Sequence, residues 1–367
     1  MTKQDNDIFY MREVLKLASK GKYTVQPNPM VGAVIVKNNK IISSGYHAKP
    51  GTAHAEQVAI KKAGNKAKNS TLYINLEPCC HYGRTPPCSD LIIASKISRV
   101  VISSLDPNPL VNGKSVKQLR QNGIAVNTGI LKTESIALNK GFFTKFLQKR
   151  PYVTAKFGIS LDGKISLSNG ISKWITSTNS RKDVQKERAM HSLIFTSSQT
   201  VLNDNPQMTI RDPKLVKHII KQPDLAIVDN YLKIPITSKV FQDKSRVVYI
   251  FTSMRQASKK YRSNVILVNI PSVKNKLNIK KCLEYLAKQD INNIFLESGS
   301  NLMNSFLQEK LIDELLLYIS PKLLGQSAIP FSGISNIEKL SKKIEYRISD
   351  MITINKDLKL RLERHNV

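Results

Sequence analysis

Segments patterned as strands and segments patterned as helices alternate along this chain, and the alternation runs twice. Each amphipathic helix must bury its apolar stripe against a sheet, so this order commits a chain to a layered α/β architecture. A single hydrophobic core stops growing at about 250–300 residues, and this chain has 367. Two α/β domains in tandem follow, expected over 1–147 and 148–367. Residues 139–150 form a basic stretch ending in Arg150-Pro151, the expected seam between them.

In the first half, periodicity predicts a helix over Ile8–Lys20, with Phe9, Val14, Leu15, Leu17 and Ala18 on its apolar face. Strands are predicted at Val31–Val36 and, beyond an Asn38-Asn39 turn, at Ile41-Ile42. A helix over His54–Ala63, a strand over Thr71–Leu76, a helix over Ser89–Ser95 and a strand over Arg99–Ser104 come next. A helix over Lys114–Gln121 and a strand over Ile124–Asn127 complete the half.

In the second half, strands are predicted at Tyr152–Phe157, Leu193–Thr196, Leu225–Val228, Val247–Phe251, Val265–Asn269, Ile294–Glu297 and Leu315–Ile319. Helices are predicted at Arg181–Met190, Ile279–Gln289 and Leu302–Glu309, and closing strands at Ile344–Ile348 and Leu358–Leu362.

Cysteine usage narrows the class. Three of the four cysteines cluster as Cys79, Cys80 and Cys88, with Cys282 apart. That excludes a disulfide-stapled secreted scaffold and points to metal or catalytic use in a reducing compartment. The first residues carry acidic groups and no apolar signal-peptide core. No apolar run reaches the roughly 18–20 residues of a membrane span. A cytoplasmic protein without a membrane partner is expected; a homo-oligomer is left open.

The chain carries 57 Lys and Arg against 27 Asp and Glu, a net charge of +30. Such a surplus suits nucleic acid or anionic substrates. The lysines are scattered, however, in pairs such as Lys61-Lys62 and Lys280-Lys281, with no basic–aromatic block. Compositional drift accounts for that pattern, and no nucleic-acid partner is expected.

The most specific signal is His54-Ala55-Glu56, followed by Leu76-Glu77-Pro78-Cys79 and then Cys88. One imidazole and two thiolates make a three-ligand set of the kind a catalytic Zn²⁺ uses, with a fourth position left for water. Cys88 and His54 lie at predicted helix starts and Cys79 just beyond a strand, so rigid elements would hold all three. Zinc lowers the pKa of its bound water to about 7, and Glu56 is the carboxylate placed to shuttle the proton. This is the pattern of the zinc deaminases, His-x-Glu followed by Pro-Cys-x-x-Cys. A closed structural zinc knot, with Cys80 or His81 as fourth ligand, is the alternative; it would leave Glu56 idle. His47, His191, His218 and His365 have no partner pattern and read as surface or packed histidines.

The second thiolate departs from the deaminase spacing: Cys80-His-Tyr-Gly-Arg-Thr-Pro-Pro87 intervenes. This insertion resembles one family, the bifunctional riboflavin-biosynthesis deaminase–reductases. Pro27-Asn28-Pro29-Met30-Val31-Gly32, Asp106-Pro-Asn-Pro109, Gly113 and Asn139-Lys-Gly-Phe142 continue the similarity. In the second half it extends to Ala155–Gly163, Trp174–Ser177, Thr200–Pro206 with Arg211, and Pro321–Gly325.

The resemblance implies a cytidine-deaminase-like three-layer domain followed by a dihydrofolate-reductase-like domain that binds NADPH. It implies that Asn28 touches the pyrimidine. Gly158, Trp174, Thr200, Asp204 and the turn Gly299, Ser300, Asn301, Leu302, Met303, Asn304 and Ser305 would meet NADPH. Ser172, Arg188, Met208, Arg211 and Glu297 would meet substrate. The reaction implied is hydrolytic deamination of 2,5-diamino-6-(5-phosphoribosylamino)pyrimidin-4-one, then NADPH reduction of its ribosyl chain to ribityl. The residues themselves add that guanidinium suits a phosphomonoester and that a strand–glycine–helix turn at Gly299 offers N–H groups to phosphate. Two rivals are a nucleic-acid base deaminase with a basic accessory domain and a non-enzymatic zinc-binding module.

Overall fold

The computed structural model describes the chain apart from residues 1, 83–85, 256–259, 274–275, 335–342 and 365–367. Gly83, Arg84 and Thr85 of the insertion, and His365, therefore lie outside the described residues. The chain divides into two compact units, Met1–Lys149 and Arg150–Val367.

The first unit runs α1 (Lys3–Ala18), β1 (Gly32–Lys37), β2 (Lys40–Tyr46), α2 (Ala55–Ala63), β3 (Thr71–Leu76), α3 (Cys88–Ala94) and β4 (Arg99–Ser104). It ends with α4 (Lys114–Gln121), β5 (Ala125–Thr128), α5 (Lys132–Leu138) and α6 (Lys140–Gln148). Its sheet has the order β2-β1-β3-β4-β5, antiparallel at β2, β1 and β3 and parallel from β3 to β5. Side chains alternate across a strand, so Ala33 and Ile35 face a core shared with α2, α3 and α4. Val34 and Val36 face Tyr10, Met11 and Val14 of α1. The result is three layers.

Three expectations for this unit need correction. Helix α1 begins at Lys3 rather than Ile8, because Thr2 and Asp5 form a reciprocal capping box. Its buried residues are Tyr10, Met11, Val14 and Ala18, while Phe9 is exposed. Most of the expected basic seam is the helix α6, where Phe142 and Phe146 meet edge to face at 5.0 Å and Phe143 is buried, and the division between the units falls just past its end, between Lys149 and Arg150.

The second unit opens with β6 (Tyr152–Ser160), β7 (Lys164–Ser166), α7 (Thr178–Ala189), β8 (Leu193–Ser197), α8 (Ser198–Asp204), α9 (Pro213–Val216) and β9 (Asp224–Val228). It continues with β10 (Val248–Thr252), β11 (Val265–Asn269), β12 (Ser272–Val273), β13 (Lys276–Leu277), α10 (Ile279–Lys288), β14 (Asn293–Leu296) and α11 (Ser300–Gln308). Strands β15 (Glu314–Ser320), β16 (Ile329–Pro330), β17 (Tyr346–Ile354) and β18 (Asp357–Arg364) close it. Among the described residues, nine strands form one sheet, β11-β10-β9-β8-β14-β6-β15-β18-β17. It is parallel from β11 to β15 and ends in the antiparallel β17–β18 hairpin.

Apolar clusters cover both faces of this sheet, as a parallel sheet requires. Helix α7 starts three residues before the expected Arg181, because the Ser177 hydroxyl accepts from the Ser180 N–H. The tail strands are longer than expected, and Ile344 lies outside β17. On β17, Ile348, Met351 and Ile352 are exposed, which hides the alternation that sequence reading relies on.

Candidate functional site

Helix α2, helix α3 and the end of β3 converge on one point of the first unit. His54 stands at the amino end of α2, its backbone N–H tied to Gln57 Oε1 at 3.1 Å. Cys79 lies three residues beyond β3, and its sulfur accepts the N–H of Cys88, first residue of α3, at 3.4 Å. Helix α2 can approach the sheet only because residue 45 is glycine: a Cβ there would lie 2.5 Å from the Ala55 oxygen and 2.7 Å from Val58 Cβ.

His54 Nδ1 lies 3.3 Å from Cys88 Sγ and 3.6 Å from Cys79 Sγ. The three donor atoms fall within 4.8 Å of one another. Zn–N bonds of about 2.0–2.1 Å and Zn–S bonds of about 2.3 Å at tetrahedral angles put N and S about 3.6 Å apart, so the set fits Zn²⁺. The electrostatics agree. A hydrogen bond from Cys88, reinforced by His54, draws Cys79 down to about 4. Bonding to that thiolate, together with burial, pushes the Cys88 thiol up. Two sulfurs this close, one buried and one half-buried, ionise together only around a cation. Cys80 is not in the cluster; its thiol donates to the Leu110 carbonyl at 3.7 Å.

The His54–Cys79–Cys88 cluster opens on a cavity of about 190 Å³, lined by Asn28, His47, Glu56, His81, Asp106, Asn108 and Phe142 among others. Glu56 is 3 % exposed, and burial raises its carboxyl to about 7. Asp106 is likewise lifted to about 7 by burial.

Asn28 is held from two sides. Its side-chain amide nitrogen meets His47 Nε2 at 2.9 Å, and His47 Nδ1 meets the Ala53 carbonyl at 3.2 Å. Two residues on, Met30 is gripped through backbone N–H and C=O by the Asn139 side chain at 2.8 and 2.9 Å. His47, read from the sequence as a surface or packed histidine, is thus part of the pocket wall; nothing in its neighbours' spacing announces it. Glu77 was also missed. This buried carboxylate accepts from the N–H groups of Asp106, Gly113 and Val116 and from the Ser115 hydroxyl at 2.9–3.3 Å. It ties the Asp106–Asn108 loop and the start of α4 to the metal-side strand.

A second cavity of about 260 Å³ is lined by Asp7, Tyr73 and Arg99 among others. Arg99 pairs there with Asp7 at 2.6 and 2.8 Å, and the Tyr73 hydroxyl donates to Asp7.

In the second unit, three contacts join some of the expected cofactor residues to one another or to their neighbours. Gly299 N–H donates to Thr200 Oγ1 at 3.3 Å, and Lys173, beside Trp174, pairs with Asp204 at 3.3 Å. A Cβ on Gly158 would touch Thr176 of the Trp174 segment at 3.4 Å. Helix α11 has no side-chain cap at Gly299, which leaves N–H groups of its first turn for an anionic ligand. Leu302 and Met303 are buried in the core, so their share of that turn is backbone. These features fit a phosphorylated nicotinamide nucleotide.

Of the expected substrate residues, Ser172 and Arg211 are exposed, and Met208 is buried. Arg188 and Glu297 are buried against each other. Arg188 Nε and Nη2 donate to the Glu297 carboxylate at 2.5 and 3.0 Å, and Nη1 donates to the Thr209 carbonyl. Burial would raise Glu297, but Arg188 and Lys156 outweigh it and hold the carboxyl low. Both of these residues therefore meet each other directly.

The fold and site define a zinc-binding deaminase of the cytidine deaminase type joined to a mainly parallel reductase domain. Residues 4–104 match the cytidine and deoxycytidylate deaminase zinc-binding region, and residues 151–360 match the RibD C-terminal domain. The chain belongs to the RibD family of riboflavin biosynthesis proteins. It is 42 % identical to riboflavin biosynthesis protein RibD of Buchnera aphidicola subsp. Baizongia pistaciae, covering 98 % of this chain and 99 % of that one. Against the Escherichia coli K12 protein of the same name it is 39 % identical, over 97 % and 99 %. Among solved structures, Acinetobacter baumannii RibD superposes with a TM-score of 0.91 at 36 % identity, covering 99 % of this chain and all of that one. A Thermotoga maritima diaminohydroxyphosphoribosylaminopyrimidine deaminase/5-amino-6-(5-phosphoribosylamino)uracil reductase gives 0.87 at 33 %, with the same coverage.

The chain is accordingly a bifunctional deaminase and reductase of riboflavin biosynthesis that acts on a pyrimidine, with Zn²⁺ and NADPH as the cofactors that fit its halves. No helix among the described residues is long and apolar enough to cross a membrane.

Proposed function

We propose that residues 1–147 deaminate 2,5-diamino-6-(5-phosphoribosylamino)pyrimidin-4-one and that residues 148–367 reduce the ribosyl chain of the product to ribityl. The observation that carries the first step is the convergence of His54, Cys79 and Cys88 beside a buried glutamate. Bound Zn²⁺ supplies Lewis acidity toward water, and bound NADPH supplies the reducing pair.

The chain's own residues do the rest. His54, Cys79 and Cys88 hold the metal. Glu56 takes one proton from the attacking water and gives it to the ring nitrogen, then takes the second from the added hydroxyl and gives it to the departing amine. Asn28, braced by His47, binds the pyrimidine edge; its held amide nitrogen leaves Oδ1 as the acceptor. Phe142 lines the same cavity and offers the ring an apolar wall.

In the second unit, Gly158, Trp174, Thr200, Asp204 and the 299–305 turn bind the nucleotide. Ser172, Met208 and Arg211 line the substrate side. Arg211 is the cation for the phosphate, because the Arg188 fork is already occupied by Glu297. The Arg188–Glu297 pair shapes the wall and sets where Lys156 stands, 4.0 Å from Glu297. Four cysteines without a disulfide suit a reducing cytoplasm, and no nucleic-acid partner is invoked.

The test is incubation of zinc-loaded protein with the diaminopyrimidine ribotide, with and without NADPH. Ammonia should be released in both cases, and NADPH consumption should follow only in the first. NADPH consumption without prior ammonia release would contradict the assigned order.

A further inference from the structure

Trp174 is the only tryptophan of the chain and is 62 % exposed. A large aromatic left open on a structured segment needs a reason. Its backbone is fixed, because the carbonyl accepts from Lys322 Nζ at 2.7 Å. Lys322 is itself tied in: its carbonyl accepts the Leu161 N–H at 2.8 Å, and Asp162 accepts the next N–H groups, those of Leu324 and Gly325.

The ring is fixed separately. The Arg181 guanidinium carbon lies 4.1 Å from the indole centroid. Arg181 has no freedom to leave: Nη1 donates to the Thr176 carbonyl at 2.7 Å and Nη2 to the Thr178 hydroxyl at 2.9 Å. Both acceptors sit at or just before the start of α7, so the backbone entering the helix fixes where the guanidinium lies over the indole. One indole face is covered by a permanent cation, and most of the ring remains open.

We propose that Arg181 is a positioning residue that locks Trp174 as a stacking platform for the nicotinamide and selects the reduced, uncharged ring over the oxidised, cationic one. This rests on the reading that Trp174 meets the cofactor. The charge argument is direct. A neutral dihydronicotinamide on the open face feels the guanidinium weakly, whereas the oxidised ring brings a second positive charge to within about 8 Å. At that separation, in a largely solvated crevice, like-charge repulsion weakens binding about three- to sixfold. Product is thereby released more readily than it would be from an uncharged clamp.

The single tryptophan makes the test direct, using full-length zinc-loaded protein, NADPH and NADP⁺. In the parent protein, emission excited at the red edge of tryptophan absorption should be quenched by NADPH, with sensitised nicotinamide fluorescence. Calorimetric NADPH binding that leaves this emission unchanged would sink the cofactor reading at Trp174, and the proposal with it.

Arg181→Gln keeps hydrogen-bonding capacity but removes the charge. The NADP⁺ to NADPH ratio of dissociation constants should then fall about three- to sixfold, while quenching persists. Persistent quenching with an unchanged ratio would overturn the proposal and leave the cofactor reading standing. Arg181→Lys keeps the charge but not the planar fork. It should retain the ratio while Trp174 emission depolarises faster. Should the glutamine variant fail to fold, an unchanged depolarisation rate in the lysine variant would refute the clamp.

Discussion

Replacement of Gly45 by alanine tests how the fold carries the metal site. Gly45 lies on β2 under the first turn of α2, where an added Cβ would sit 2.5 Å from the Ala55 oxygen, 2.7 Å from Val58 Cβ and 2.9 Å from the Ala59 nitrogen. Carbon atoms pack best at about 3.5–4.0 Å, so helix and strand must part by about 1 Å. Two of the three contacts are backbone, which cannot swing away. The Ser43 hydroxyl, bonded to the Ala59 carbonyl at 2.8 Å, resists the movement from the same strand. Overpacking of this kind costs about 1–3 kcal/mol.

The functional consequence follows from what α2 carries. His54 is the residue before its first turn, and its Nδ1 lies 3.3 and 3.6 Å from the two sulfurs. Metal sites tolerate ligand displacements of about 0.2 Å. A shift several times larger should weaken zinc by about 10–100-fold, the range seen when a ligand's support is removed. The assay is zinc competition against a chromophoric chelator, with thermal unfolding of the same samples. Parental zinc affinity and melting temperature together in Gly45→Ala would refute this account of the helix–strand approach.

Other changes address neighbouring groups. Glu56→Gln should retain one zinc per chain and lose about 10²–10⁴-fold in ammonia release, read by metal analysis and a coupled ammonia assay. Glu77→Ala removes the acceptor for four donors of the 106–116 segment. Unsatisfied buried donors cost about 1–3 kcal/mol each, so thermal unfolding should fall and the KM for deamination should rise more than kcat drops. In the reductase unit, burial alone would raise Glu187, but Arg361 and Lys359 outweigh it and hold its carboxyl low. Its folded-state pKa lies below the unfolded one, so the stability it contributes is present above the ordinary glutamate range and disappears as pH falls through the lowered value. Chemical denaturation followed across acid pH should show that loss, and Glu187→Gln should flatten it.

Much of this was legible in the sequence because it rests on local rules. The continuous apolar run at Val31–Val36, which marks a buried strand, and the helix-opening positions of His54 and Cys88 are short-range patterns, and the structure keeps them. The capping pair Thr2 and Asp5 is also local, but the apolar stripe that starts later masks it. Other features were not accessible in this way. Glu77 acts on donors 29 to 39 residues away, and His47 reaches Asn28 across two loops, so neither leaves a spacing to find. Arg188 and Glu297, 109 residues apart, each look like a free charge in the sequence; only the fold shows that they neutralise one another. The exposed face of β17 erased the periodicity that would have marked its full length.

Zinc K-edge X-ray absorption on metal-loaded protein tests the central claim most directly. One zinc per chain should show two sulfur neighbours near 2.3 Å and one imidazole nitrogen, with a light-atom fourth ligand that exchanges with solvent. A third sulfur in the shell, or a second imidazole closing it, would contradict an open catalytic site built from His54, Cys79 and Cys88.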